Sequence, residues 1–228
     1  MNFDIQNIGS FKIGGIEVWI TETQLSTWII MGLLITFALV IRVKLNKFKD
    51  VPGGLQNIAE MLVETFDKFV KDSAGDKLMF LGNWYFMVFA FVLLSNISGL
   101  FFLRPPTADW TMTFGLALVS FILIQSMGIR FRKKQFFKDL ISPNFIFLPL
   151  NIIGEFARPI SLSFRLFGNI LSGTILLSMI YSLAPVFLRV LFPAALHFYF
   201  DLFAGVLQAY VFTVLSLSFI GVSAAVSD

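Results

Sequence analysis

Along the chain, long apolar runs alternate with short charged stretches, and the length of each run predicts what it does. Residues 1–24 carry Asp4, Glu17 and Glu22 against Lys12 alone, without the basic start and short apolar core of a cleaved signal peptide. They are expected to be retained as a segment outside the bilayer. The run over residues 25–41 is about 17 residues, the lower limit for crossing ~30 Å of hydrocarbon. Trp19 and Trp28 are placed to anchor its end at the interface. Residues 42–77 are charged and mixed, yet Leu55, Ile58, Leu62, Phe66 and Phe69 recur at helical spacing, which predicts an interfacial amphipathic helix over 51–72. A transmembrane hairpin is predicted from 78–103, interrupted by Asn83 and Asn96, the turn signal Arg104-Pro105-Pro106, and 110–129. Beyond a basic stretch and Ser142-Pro143, two long apolar helices are expected over 144–184 and 192–223, with Pro185 to Pro193 as the break. The sum is one all-α, polytopic membrane domain spanning 1–228, with about five transmembrane helices and one interfacial helix.

Composition sharpens this. Residues of the AVILMFWYC set make up 57% of the chain and charged residues 14%, against about a quarter charged in soluble domains. Mean hydropathy is +0.83. A soluble enzyme, a nucleic-acid-binding module and a disordered tail all need polar surface that is missing here. There is no Cys, hence no thiolate nucleophile or cysteine-ligated cluster, and the single His cannot supply a bis-histidine haem or a paired-histidine zinc site. No cofactor is expected. The net charge of +3 matters through its placement. Seven Lys and Arg lie in 42–77 and five in 130–138, while the N-terminal segment and the Pro-Pro loop hold one each. The positive-inside rule then places both basic segments and the C-terminus in the cytoplasm and the N-terminus outside.

Charges inside the apolar helices carry the chemistry. The helix over 144–184 would be ~60 Å long, about twice the hydrocarbon thickness, so it must tilt, kink near Pro159 or border water. Within it Asn151, Glu155, Arg158, Leu162, Arg165, Asn169 and Ser172 recur at spacings of three and four, one stripe along the helix. In the last helix His197, Asp201, Gly205, Gln208 and Phe212 do the same. Two facing polar stripes predict a hydrated path. Plainer readings exist for most of these residues. Glu155 and Arg158 form an i,i+3 ion pair as readily as a transport site; Asn169, Ser172 and Gln208 serve equally as interhelical glue; His197 near a helix end serves as an interfacial aromatic. Arg165 is different, because no charge follows it until Arg189, and a buried ion costs ~3 kcal/mol even on insertion scales.

Residues Ser161-Leu162-Ser163-Phe164-Arg165-Leu166-Phe167-Gly168-Asn169-Ile170-Leu171-Ser172-Gly173 closely resemble the signature of subunit a of rotary F-type ATP synthases. The lead-in Pro149-Leu150-Asn151-Ile152-Ile153-Gly154-Glu155-Phe156 and the late Leu207-Gln208-Ala209-Tyr210-Val211-Phe212 resemble that family's flanking motifs, and the order of elements agrees over nearly the whole chain. The resemblance implies a non-catalytic stator with two offset aqueous half-channels meeting near Arg165, so that ions load and unload a rotor and drive ATP synthesis. It also implies as partners a ring of proteolipid c subunits, peripheral-stalk b subunits and membrane lipid, in a bacterial plasma membrane. No GxxxxGK[ST] run is present, so the chemistry of ATP would belong to other subunits. Many family members have Glu directly after the motif's last Gly; this chain has Thr174 there, and Asp201 seven residues before Gln208. The relay carboxylate is therefore expected to have moved to the last helix, with Thr174 facing the same path. Two alternatives are a stand-alone secondary ion transporter or channel, for which no internal repeat speaks, and an intramembrane hydrolase, for which His197 and Asp201 lack an evident Ser partner.

The twelve-to-two asymmetry of basic residues makes topology directly testable. A cysteine introduced at Lys133 is expected to react with a thiol reagent confined to the cytoplasm; reaction only from the opposite side reverses the assignment.

Overall fold

The computed structural model describes residues 7–13, 16–48, 53–101, 103–183 and 185–225. Among the described residues five helical stretches are long and apolar enough to cross a membrane: Glu22–Lys44, Asp76–Phe101, Trp110–Arg132, Phe145–Leu183 and Phe192–Ala224. The polytopic all-α architecture read from the apolar runs is the architecture observed. In chain order the elements are strands β1 (Asn7–Ile13) and β2 (Ile16–Thr21), then helices α1 (Glu22–Lys44), α2 (Gly54–Ala74), α3 (Gly82–Ile97), α4 (Trp110–Arg132), α5 (Lys134–Ile141), α6 (Leu148–Leu183), α7 (Val186–His197) and α8 (Gly205–Ala224). Short 3-10 turns precede and follow α3, at Asp76–Leu81 and Ser98–Phe101, and a π-helical segment, Phe198–Ala204, joins α7 to α8.

Three features depart from the sequence reading. The N-terminal segment contains an antiparallel hairpin in which Ser10 lies opposite Trp19 and Lys12 opposite Glu17, the latter pair joined by a 2.9 Å ion pair. Its sequence signal was the Gly14-Gly15 pair flanked by short β-favouring runs. The basic stretch after α4 folds as α5, entered through Lys133 at a positive φ of 48° and held by an Arg132–Asp139 ion pair. Asn151 closes that corner by donating from Nδ2 to the Leu140 and Ser142 carbonyls at 2.9 and 3.1 Å, so its role is to tie α6 to α5 rather than to line a path. Finally, the break expected from Pro185 to Pro193 does not extend to Pro193: Pro185 is the N-cap of α7, and Pro193 lies inside that helix. A proline inside a helix removes one backbone hydrogen bond without ending the helix when neighbouring groups compensate, and here the chain runs on into the π segment.

The interfacial helix expected over 51–72 corresponds to α2, its first two positions lying outside the described residues. Phe66 and Val70 in its second half are buried, whereas Ile58, Met61, Leu62 and Val63 in its first half are exposed. The long helix expected over 144–184 is α6, 36 residues and ~54 Å, preceded by a turn over Phe145–Phe147 that Asn144 caps through its side chain.

Contacts divide the chain into two compact units. One comprises Met1–Leu34, Ala90–Thr113 and Ser163–Tyr210; the other comprises Ile35–Phe89, Phe114–Leu162 and Val211–Asp228. The second has an apolar core of Phe66, Val70, Leu78, Leu81, Tyr85, Ile124, Met127, Leu217, Ile220 and Ala224. A Cβ on Gly221 would stand 3.2 Å from the Ala74 Cα, so glycine lets α8 approach the α2 backbone. Inside this core the Tyr85 hydroxyl faces those of Ser120 and Ser216. The first unit is built differently. Thr23, Ser26, Ser95, Asn96, Thr107, Thr113, Ser163 and Asp201 are all buried in it, beside Leu166, Ile170 and Ala209. Within a bilayer lipid tails are as apolar as leucine, so helices cohere through packing and hydrogen bonds rather than hydrophobic exclusion. The polar interior of the first unit and the interdigitated core of the second are the two available solutions.

Leu217 is fully buried and Leu33 is 56% exposed. Leu217→Ala is expected to cost about 2–5 kcal/mol through lost contacts and a residual cavity, and Leu33→Ala to cost little. Thermal unfolding of the purified protein in detergent checks both.

Candidate functional site

Arg165 stands on α6, and its side chain is exposed on the surface of the first unit. Among the described residues none forms an ion pair or hydrogen bond with it. Its helical neighbours on that face are small: Ser161 and Ser172 are exposed and Gly168 half-buried. Leu162, Leu166 and Ile170 turn inward at 2%, 0% and 4% exposure. Phe164, beside the arginine, packs against Trp110 with ring centroids 6.2 Å apart. The result is a cation on an exposed helix face, with no anion among the described residues to neutralise it.

The polar stripe read along this helix is wider than one face. Arg165 and Ser172 lie on its exposed side, Glu155 and Asn169 are half-buried, and Leu162 is buried. Spacings of three and four swing residues up to about 100° around a helix of 3.6 residues per turn, enough to pass from surface to interior. Ser172 donates to the Asn169 carbonyl at 2.9 Å and Thr174 to the Ile170 carbonyl at 2.8 Å, bonds within their own helix. The Asn169 Nδ2 is buried without a hydrogen-bond partner among the described residues. Thr174, nine residues beyond Arg165 and thus about 180° round the helix, is half-buried.

A second group forms at the other end of the first unit's chain segments. His197, the last residue of α7, places Nδ1 2.6 Å from Oδ2 of Asp201 in the π segment, with side chains 30% and 12% exposed. Beside them lies a cavity of about 370 Å³ lined by Gly99, Leu100, Ala194, His197, Phe198 and Leu202. Asn96 of α3 donates from Nδ2 to the Gly205 carbonyl at 2.9 Å, and Thr107 donates to the Asn96 Oδ1 at 2.8 Å. Two residues of the last helix's stripe are thereby placed. Asp201 and Gly205 face α3 and the turn after it, while it is Phe200 that meets α6, at Gly173, where a Cβ would stand 2.9 Å from the ring. The π segment changes the angular advance per residue, which a period of 3.6 cannot anticipate. Gln208 is half-buried and makes no hydrogen bond among the described residues. Asn96 was visible in the sequence as an interruption of an apolar run; its partners Thr107 and Gly205 were not, because hydrogen bonding across 109 residues leaves no periodic trace.

The second unit holds its own charged group. The Glu155 Oε2 accepts from Arg158 Nη1 at 2.9 Å and from Gln125 Nε2 of α4 at 2.8 Å. The Arg158 guanidinium also lies over the Phe219 ring of α8, 5.3 Å from its centroid. Glu155 and Arg158 thus form the local ion pair that their i,i+3 spacing allows, with Gln125 and Phe219 joining it to two further helices.

Residues 24–221 match the family described as ATP synthase A chain. The chain is 37% identical over 227 residues to the sodium-ion-specific ATP synthase subunit a of Propionigenium modestum, an alignment covering 88% of this chain and 73% of that protein. It is 33% identical to the chloroplastic ATP synthase subunit a of Stigeoclonium helveticum, over 93% of this chain and 88% of the relative. With the ATP synthase subunit a 2 of Acaryochloris marina the identity is 31%, over 92% and 88%.

Proposed function

The chain belongs to the ATP synthase A chain family, and from that premise we propose that Arg165 is the fixed charge of an ion-translocating stator, with the Asp201 and Glu155 groups lining two separate access paths. The observation that carries this reading is the exposed guanidinium of Arg165, without a partner in the described chain, on a helix apolar and long enough to span a membrane. Such a charge is costly in hydrocarbon and is retained where an anion from outside the chain meets it. A carboxylate on a passing rotor helix is that anion. The small residues around Arg165 let another helix approach closely, as a ring of c subunits would require.

A guanidinium stays protonated at any working pH, so Arg165 cannot hand on a proton. Its effect is electrostatic. An adjacent cation favours the ionised form of a carboxylate, so a loaded rotor site gives up its ion on reaching the arginine and cannot carry it past. Ions then board on one side, travel round with the rotor and leave on the other. Each elementary charge crossing the membrane releases ~2.3 kcal/mol per 100 mV, so several must pass for each ATP. In this reading Asp201, with His197 and the adjoining cavity, serves the path from the outside, in place of the carboxylate that Thr174 does not supply, and Asn169 and Gln208 border the same route. Glu155, bound by Arg158 and Gln125, serves the cytoplasmic path. The peripheral-stalk b subunits hold the protein against rotation. The basic-residue asymmetry supports an external N-terminus and a cytoplasmic C-terminus in a bacterial plasma membrane.

Arg165→Ala is expected to abolish ATP synthesis driven by an ion gradient and to open a passive leak. Arg165→Lys is expected to fail as well, because a compact, strongly hydrated ammonium lacks the planar fork. Synthesis in inverted vesicles at near wild-type rate with Arg165→Ala refutes the fixed-charge role, and the same result with Arg165→Lys refutes the requirement for the planar fork. The protein reconstituted alone is expected to conduct nothing; autonomous flux in liposomes without c subunits establishes a stand-alone channel instead. Asp201→Asn preserves size and removes titration, and is expected to reduce passive proton flux through the membrane sector severely, with partial recovery on adding Thr174→Glu. Wild-type flux with Asp201→Asn refutes the relocated relay.

A further inference from the structure

We propose that Gly99 and Asn96 are positioning residues for ion conduction: glycine at 99 forms the seat in which the Asp201 carboxylate rests, and Asn96 locks the adjoining backbone so that the seat and the carboxylate stay in register. This deepens the role given to Asp201 above and rests on it.

The seat is defined by what is missing. A Cβ on residue 99 would stand 3.1 Å from Oδ2, 3.2 Å from Cγ and 3.5 Å from Oδ1 of Asp201. The first two distances are shorter than ordinary carbon–oxygen and carbon–carbon contact, so any side chain at 99 must push the carboxylate aside. The carboxylate has little room to yield, because its Oδ2 is also 2.6 Å from His197 Nδ1. Gly99 and His197, the two groups that touch the carboxylate, both line the adjoining cavity, so its displacement disturbs the wall of that space.

The lock lies one turn earlier. Asn96 is fully buried, and its side chain is used at both ends: Nδ2 donates to the Gly205 carbonyl, Oδ1 accepts from Thr107. Gly205 is the first residue of α8 after the π segment that bears Asp201. A Cβ on Gly205 would meet the Asn96 Cβ at 3.0 Å, so glycine lets the Asn96 side chain pack directly on the Gly205 backbone. A π segment is a departure from regular helical winding, and a side-chain hydrogen bond at its junction holds its phase. Thr107, fully buried, fixes the amide's orientation from the loop between α3 and α4. Turn, loop and π segment are thus pinned to one another around the carboxylate.

The test measures passive proton flux through the membrane sector of the assembled complex, in vesicles stripped of the catalytic head, with co-purified c subunits as the control for assembly. Gly99→Ala is expected to lower flux about tenfold, as misplacement by a fraction of an ångström does in positioned sites. Thr107→Val, nearly isosteric but without the hydroxyl, is expected to lower it in the same sense, and Thr107→Ser to retain it. The decisive variant moves the carboxylate: Asp201→Ala alone is expected to lose about a hundredfold, and Gly99→Asp combined with Asp201→Ala to recover most of that, because a carboxyl carbon lies about 1.5 Å beyond the Cβ of residue 99 and falls in the same seat. A merely structural glycine gives no such recovery. If Asp201→Asn lowers flux but Gly99→Ala does not, or the transplanted carboxylate restores nothing in a normally assembled complex, the seat is refuted while the relay stands. Wild-type flux with Asp201→Asn refutes the relay and the seat together.

Discussion

An arginine whose charge is not met by any described group of its own chain, on a helix long and apolar enough to span a membrane, is the constraint on which the rest of this structure turns. Water solvates such a charge cheaply and hydrocarbon does not, so the side chain must border water, another protein or both. The neighbouring positions agree with that demand. Ser161, Gly168 and Ser172 keep the face low, while Leu162, Leu166 and Ile170 bind the opposite face of α6 into the protein. The helix is thus rigidly held on one side and open on the other, as expected of a fixed charge working on a moving partner. In the proposed reading that partner is a carboxylate on a rotor.

The two units solve the packing problem in contrasting ways, and the contrast bears on function. Close-packed aliphatic and aromatic side chains hold the second unit together, and its Glu155–Arg158–Gln125 group joins them. Buried hydroxyl and amide side chains hold the first, and its cavity and its His197–Asp201 pair are found among them. Polar groups buried in low dielectric are costly when unpaired and strong when paired, so a unit built from them positions side chains closely. In the proposed reading, the material that stabilises the first unit is also the material that makes it permeable.

Close approach recurs wherever positioning matters. Gly99 admits the Asp201 carboxylate, Gly173 admits Phe200 and Gly221 admits the α2 backbone, each at a distance where a Cβ would force its neighbour to shift. Among membrane helices, small residues do what apolar bulk does in soluble cores, because contact rather than water exclusion supplies the energy. The π segment adds a second device, re-aiming Asp201 and Gly205 toward α3 within an otherwise continuous helical run.

Periodicity and composition by themselves determined the membrane class, the five long apolar helices, the amphipathic α2, and the prominence of Arg165, because bilayer thickness and the cost of buried charge act on each segment separately. Local sequence also carried the pairing of Glu155 with Arg158 and of His197 with Asp201, since residues three and four apart on a helix are neighbours. The hairpin of β1 and β2, the helix α5 and the continuation of α7 through Pro193 were decided by tertiary or turn contacts that outweigh weak local signals. So was the direction of the last helix's polar stripe. Asn96 meets Gly205 across 109 residues, and Gln125 meets Glu155 across 30. Such pairings depend on which helices pack together and on the phase of a π segment between them. Neither is written in any single helix, because each helix specifies its own faces while only the assembled bundle decides what each face meets.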